Sequence, residues 1–197
     1  MRTQVVDVDV LARVEGEGGI RIELEDGRPA RIEFRVLEPP RFFEGIVRGR
    51  DRDEVPDLTA RICGICPVAH QIGSAMALER ASGAPVGQAI MDLRRLAMCG
   101  ATLASHALHV HLLDGPDRLG AADVFDLARD RPDWVQEALR VKKIGLEIVR
   151  LVGGREVHPP ALRVGGFHRA PERAALVALL PELAWARRRV VEQARIL

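Results

Sequence analysis

The chain is short of cysteine, of aromatic residues, of charge of one sign and of long apolar runs, and each shortage excludes a class of protein. Three cysteines in 197 residues cannot build the disulfide framework of a small secreted domain, and in a reducing cytosol they would be thiols. Lysine and arginine number 29 against 28 aspartates and glutamates, which leaves no basic excess to attract a nucleic acid. Aromatic residues are only 4% of the chain, and no basic block is interleaved with them, so no surface for stacking bases is offered either. No apolar run reads as reaching the roughly 20 residues that a membrane span needs. The first residues, Met1 to Asp9, are charged where a signal peptide would be apolar. The expectations are no nucleic-acid partner, no membrane span and a cytoplasmic location. With 47% hydrophobic and 29% charged residues, the chain has the profile of a soluble globular protein with one sizeable core, or a core and a small appendage.

What is present divides by pattern. Over residues 3–36, Ile20, Ile22 and Leu24 alternate with Arg21, Glu23 and Glu25; Asp26-Gly27 marks a hairpin, and Ile32, Phe34 and Val36 alternate on the return. Two or three antiparallel strands with one face packed are expected. Between the first two lies a polar, glycine-rich turn, residues 13–19. Pro39 and Pro40 end this region. Helical spacing then takes over, with helices expected over 68–81, 86–113 and 133–151, a loop over 155–170, and a last helical stretch from Pro171 that Pro181 kinks or splits. The fold class read from this is α+β, mainly α: a small N-terminal antiparallel β-sheet (residues 1–40) followed by a bundle of long helices (41–197).

The chemistry is concentrated in residues 61–70, Arg-Ile-Cys-Gly-Ile-Cys-Pro-Val-Ala-His. Cys63 and Cys66 flank Gly64 and Ile65, and a glycine in such a loop lets the backbone turn tightly so that two sulfurs converge on one ion. By itself the pair is open between a metal site, a redox dithiol and a disulfide. A structural zinc site needs two further ligands at suitable spacing, and no second Cys or His pair has that pattern. A thioredoxin-like dithiol would follow a strand in a βαβ unit, which is not the pattern here. Cys99, in an Ala-rich helical run, reads as a small buried hydrophobe. His106 and His109 share a helix face while His111 points elsewhere, which reads as packing or surface histidines rather than a metal site.

Three blocks together resemble the large (alpha) subunit of nickel–iron hydrogenases, most closely the soluble, cytoplasmic, cofactor-linked branch. They are Arg13-Val14-Glu15-Gly16 with the strand from Gly19; Glu44-Gly45-Ile46-Val47-Arg48-Gly49-Arg50 with residues 61–70; and Gly154-Arg155-Glu156-Val157-His158-Pro159 ending in Gly165-Gly166. The resemblance implies reversible oxidation of dihydrogen at a centre in which four thiolates hold nickel and two of them bridge to an iron carrying carbon monoxide and cyanide. It implies that Cys63 is a terminal nickel ligand and Cys66 a bridge, with soft thiolates suiting nickel. His70 would support Cys66 by hydrogen bonding from one helical turn away, and Arg61 would also lie against the cofactor. Glu15 would be the first proton acceptor, and Glu44 would help bind magnesium, largely through water. The loop around His158 would face the iron–sulfur cluster of a small subunit, and diaphorase-type subunits are possible further partners.

The sequence departs from the resemblance after Cys99, where no further cysteine occurs. The family's second pair, its following histidine and the arginine over the iron belong to a C-terminal part not found here. The chain is therefore expected to be the N-terminal half of such a subunit, supplying two of four cysteine ligands and inactive alone. The alternative is a non-catalytic remnant, or a structural relative without metal like the quinone-site subunit of respiratory complex I; that branch lacks the ligands, and Cys63 and Cys66 argue against it.

Overall fold

The computed structural model describes residues 2–197, in two compact units divided after Phe42. The first unit is a three-stranded antiparallel meander of β1 (Thr3–Val8), β2 (Gly18–Glu25) and β3 (Arg28–Val36), in the order β1-β2-β3. Asp26 and Gly27, with φ of 47° and 79°, make the turn from β2 to β3, the positive-φ pair a two-residue hairpin requires. Register places Val6 beside Ile22 and Ile32, and Val8 beside Ile20 and Phe34, on one face. The opposite face carries Arg21, whose guanidinium lies 3.0 Å from Asp7, and Arg35, which bonds Asp7 and Asp9. The expectation of one packed face is not met within this unit. Phe34 and Val36 are 62% and 71% exposed, because three strands alone supply no second layer to cover an apolar face.

The second unit is helical. Two short helices, α1 (Phe43–Val47) and α2 (Val55–Ala60), precede α3 (Pro67–Ser82) and α4 (Gln88–His106). A π-helical segment, Ala107–Asp114, continues α4 into α5 (Gly115–Leu119), followed by α6 (Val124–Asp130) and the long α7 (Pro132–Gly153). A minimal hairpin, β4 (Leu162–Arg163) and β5 (Gly166–Phe167), lies in the region read as a loop, and α8 (Arg173–Ala178) and α9 (Leu180–Gln193) close the chain. Pro132 opens α7, Gly83 ends α3 and Gly154 ends α7, the two glycines in the left-handed conformation. The stretch after Pro171 is split at Leu179, with Pro181 in the first turn of α9.

The core is built on α4 and α7. Gly100 and Gly145 face each other so closely that a Cβ on Gly145 would lie 2.6 Å from the carbonyl oxygen of Gly100. This contact brings the two backbones together and lets Val68, Ala97, Val149 and Val152 cluster on one side, with Ala107, Val141, Ile144 and Ala186 on the other. The π-helical segment was not expected; the sequence pattern reads as one continuous helix. Two features disturb the regular ladder there. Pro116 has no N–H to offer the carbonyl four residues before it, and the buried Trp134 indole donates at 3.2 Å to the carbonyl of His111.

The helical run Gln88–Leu119 is long and apolar enough, by length and composition, to cross a membrane. Residues 96–113 carry no Asp, Glu, Lys or Arg, and two nearby arginines mask that stretch in a residue-by-residue reading. The small residues of the run pack on α7 through Ala97, Gly100 and Ala104, as core helices of soluble proteins also do. Arg94, near its start, is buried in an ion pair with Glu79.

Candidate metal centre

Helices α2 and α3 form a hairpin whose connection, residues 61–66, holds both cysteines. Arg61 closes α2, and its guanidinium is spent on Asp57, 3.2 Å away and one turn back. Cys66 is the N-cap of α3, with Pro67 in the first helical position, where the missing N–H costs no helix bond. The Cys66 carbonyl accepts from the N–H groups of Ala69 and His70 at 3.2 and 3.4 Å, which fixes the start of the helix. The Cys66 N–H donates to Cys63 Sγ at 3.2 Å. Both cysteines are half-buried thiols at the helix N-terminus. The bond from the Cys66 N–H fixes where the Cys63 sulfur lies relative to α3.

Gly64 plays a different part from the one the sequence suggests. Its φ is not positive, and a Cβ there would meet nothing within 4 Å. Neither conformation nor crowding inside this chain requires glycine. Its backbone is instead left uncovered beside the sulfurs. Beneath the loop lies a mainly apolar cavity of about 160 Å³ between Gly64, Ile65, Ala104, Leu108, Leu146 and Val149. An adjoining hollow of about 120 Å³ has Cys66, Ala69, Met98 and Thr102 in its wall. Ile65 and Ala101 line both.

The other residues singled out from the sequence are spread over the molecule. His70 is half-buried on α3, four residues after Cys66 and so on the same helix face. Glu44 is exposed in the first turn of α1. Glu15 is exposed in the turn between β1 and β2, in the first unit, between Arg13 and Gly16 at φ of 61° and 82°. His158 is half-buried at φ 49°, and its Nδ1 is buried without a hydrogen-bond partner. Its carbonyl, with that of Val157, accepts from Arg155 Nε at 2.7 Å. Among the described residues no group of three or more His, Cys, Asp or Glu side chains is placed to hold a metal ion. His111 is buried edge-on to Trp134, their rings 5.3 Å apart. Cys99 is exposed, not buried as expected.

Sequence reasoning missed the polar anchors of α3. Gln71 Nε2 donates to the Pro159 carbonyl at 2.8 Å, and Glu79 accepts from Arg94 and from the Gly165 N–H at 2.7 Å. These bonds tie the helix leaving the cysteine loop to the segment that carries His158. Partners 15 to 88 residues apart leave no periodic trace in the sequence. The one available signal was an arginine inside an otherwise apolar helix face, which requires a buried partner.

Comparison with known proteins adds to this geometry. Residues 41–130 match the family model described as nickel-dependent hydrogenase. The chain is 41% identical over 172 residues to sulfhydrogenase 2 subunit alpha of Pyrococcus furiosus, covering 87% of this chain and 42% of that protein. Against sulfhydrogenase 1 subunit alpha of the same organism it is 33% identical over 178 residues, again with 42% of the relative covered. It superposes on an NAD+-reducing [NiFe]-hydrogenase with a TM-score of 0.81 at 34% identity, covering 98% of this chain and 46% of that one. The chain is similar to part of the alpha subunit of nickel-dependent hydrogenases. It spans less than half the length of these relatives. A [NiFeSe]-hydrogenase of Dm. baculatum gives the same fold with a TM-score of 0.75 at 27% identity.

The donor set of the 61–66 loop lies inside the segment that matches the nickel-dependent family. Two sulfurs in one turn, one of them oriented by a main-chain N–H, suit a soft, thiolate-seeking metal. Among the described residues no third His, Cys, Asp or Glu side chain joins them to complete a metal site.

Proposed function

We propose that this chain is part of the catalytic subunit of a nickel–iron hydrogenase and supplies two of the four cysteine ligands of its centre. The single observation that carries the reading is the Cys66 N–H bonded to Cys63 Sγ at the start of α3, inside the segment that matches the nickel-dependent family. Cys63 would hold nickel, and Cys66 would hold nickel and iron, the iron carrying carbon monoxide and cyanide. When bound, the metal pair supplies the heterolytic chemistry of dihydrogen.

The chain's own residues then have distinct tasks. The Cys66 N–H, at the N-terminus of α3, holds the Cys63 sulfur in place. Ile65 and the mainly apolar cavity walls line the inner side of the loop. His70, one turn along α3, supports Cys66 by hydrogen bonding, and Arg61 borders the cofactor from the end of α2. Glu15, an exposed carboxylate of the first unit, would be the proton acceptor. Glu44 contributes an oxygen to a magnesium ion, largely through bound water. The His158 loop, with an unused buried Nδ1, faces the iron–sulfur cluster of a small subunit. A diaphorase-type subunit completes the electron path, a reading favoured by the likeness to an NAD+-reducing enzyme. Two thiolates do not complete the site, so the chain alone does not turn over hydrogen.

The test is metal content. Produced with hydrogenase maturation proteins and isolated with the polypeptides that co-purify, the chain should carry nickel and iron that Cys63→Ala and Cys66→Ala abolish. Absence of both metals from the unaltered chain, or retention in the variants, would overturn the reading and favour a non-catalytic relative.

A further inference from the structure

The two helices that present the cysteine loop meet at a pair of hydroxyls. Thr59 Oγ1, in the last turn of α2, lies 2.9 Å from Ser74 Oγ, in the second turn of α3. Beside them Ala60 and Ala75 are both wholly buried, so the helices approach to the limit that small side chains allow. Thr59 Oγ1 also lies 3.0 Å from the Val55 carbonyl and 3.4 Å from the carbonyl of His70, and Ser74 Oγ lies 3.1 Å from that of Gln71. The bridge therefore reaches across the base of the loop, from four residues before Cys63 to eight residues after Cys66.

Counting protons defines what the pair can do. Each hydroxyl has one hydrogen. Either Ser74 donates to Thr59 and Thr59 to the Val55 carbonyl, or Thr59 donates to Ser74 and Ser74 to the Gln71 carbonyl. Both arrangements end on a main-chain carbonyl, which accepts and cannot release a proton. The pair is a brace and not a proton path.

We infer that Thr59 and Ser74 are positioning residues that set the separation of Cys63 and Cys66 by locking the last turn of α2 to α3. This rests on the metal-site reading above, and the test separates the two. Removing either hydroxyl leaves the other with a local carbonyl to bond, so no buried donor is orphaned. Ser74→Ala therefore removes the hydroxyl pair and leaves Thr59 only the His70 carbonyl of α3, whereas Thr59→Val removes both contacts to α3. Thr59→Ser keeps both.

The full chain, in a Cys99→Ser background, is compared by two readouts: the Cys63–Cys66 thiol–disulfide equilibrium against glutathione, and Ni(II) affinity followed by thiolate-to-metal absorption. With Thr59→Val or Ser74→Ala, the glutathione equilibrium should move about tenfold, about 30 mV for a two-electron couple, and Ni(II) affinity should fall about tenfold. Thr59→Ser should restore both, and thermal unfolding should stay cooperative throughout. Unchanged values in both hydroxyl-deleting variants would overturn the brace. So would equal losses in Thr59→Ser. Should Thr59→Val not fold, Thr59→Ala decides in its place. Failure of the metal reading shows separately, as Ni(II) absorption that survives Cys63→Ala, and the glutathione equilibrium then still judges the brace.

Discussion

Arg94 grips Glu79 through two hydrogen bonds of 2.8 and 2.5 Å, with the side chains 1% and 6% exposed. The pair joins α4 to α3, and through Gly165 N–H and the Arg163 carbonyl it fastens the β4–β5 hairpin to both. Breaking such a pair leaves one charge buried and uncompensated. Glu79→Gln or Arg94→Met is expected to cost about 3–5 kcal/mol, measured by chemical unfolding at neutral pH.

The same pair predicts acid sensitivity. Arg94, bonded to it, holds the Glu79 carboxyl below its ordinary 4.5 against the opposing effect of burial, with help from the Gly165 N–H. The folded value is depressed, so the stabilisation is complete above the unfolded value and is lost as pH falls through the folded one. Unfolding free energy should fall below about pH 4.5 in the unaltered chain, and the gap to Glu79→Gln should narrow over the same range.

A second window belongs to His111. Burial lowers its pKa from the ordinary 6.5, and no partner bonds its Nδ1. The unfolded chain takes up a proton first on acidification, so stability declines as pH falls from about 6.5 towards the folded value. His111→Phe should remove this component, and the difference in unfolding free energy between pH 7 and pH 5 reads it out.

The α4–α7 contact gives a steric prediction. A methyl group on Gly145 would press on the Ala104 N–H and the Gly100 carbonyl, both 2.6 Å from its carbon. Gly145→Ala is expected to destabilise by about 2 kcal/mol and to lower the melting temperature by about 4–8 °C. An exposed control such as Gly73→Ala, where a Cβ meets nothing within 4 Å, should not.

Much of this was legible in the residues. Alternation in β2 and β3, the Asp26-Gly27 turn and the helical spacing after Pro67 each rest on neighbours in sequence, and the structure follows them. The cysteine loop was legible for the same reason, since its two sulfurs lie three residues apart. What escaped depends on contacts between distant segments. The π-helical widening arises where Trp134 takes the His111 carbonyl from 23 residues away. The short helices α1, α2, α5 and α6 carry too few turns to show a period. Thr59 and Ser74 look like ordinary helix-surface residues until α2 and α3 are brought together. Cys99 reads as a core residue because it lies in an apolar helix, yet the face it occupies is uncovered.

The account turns on Cys63 and Cys66 acting as one metal grip. The most direct measurement is Ni(II) titration of the reduced, purified chain, following thiolate-to-metal absorption. The expected result is a band that Cys63→Ala or Cys66→Ala removes and Cys99→Ser leaves intact. No band in the unaltered chain, or one that persists without either loop cysteine, would contradict it.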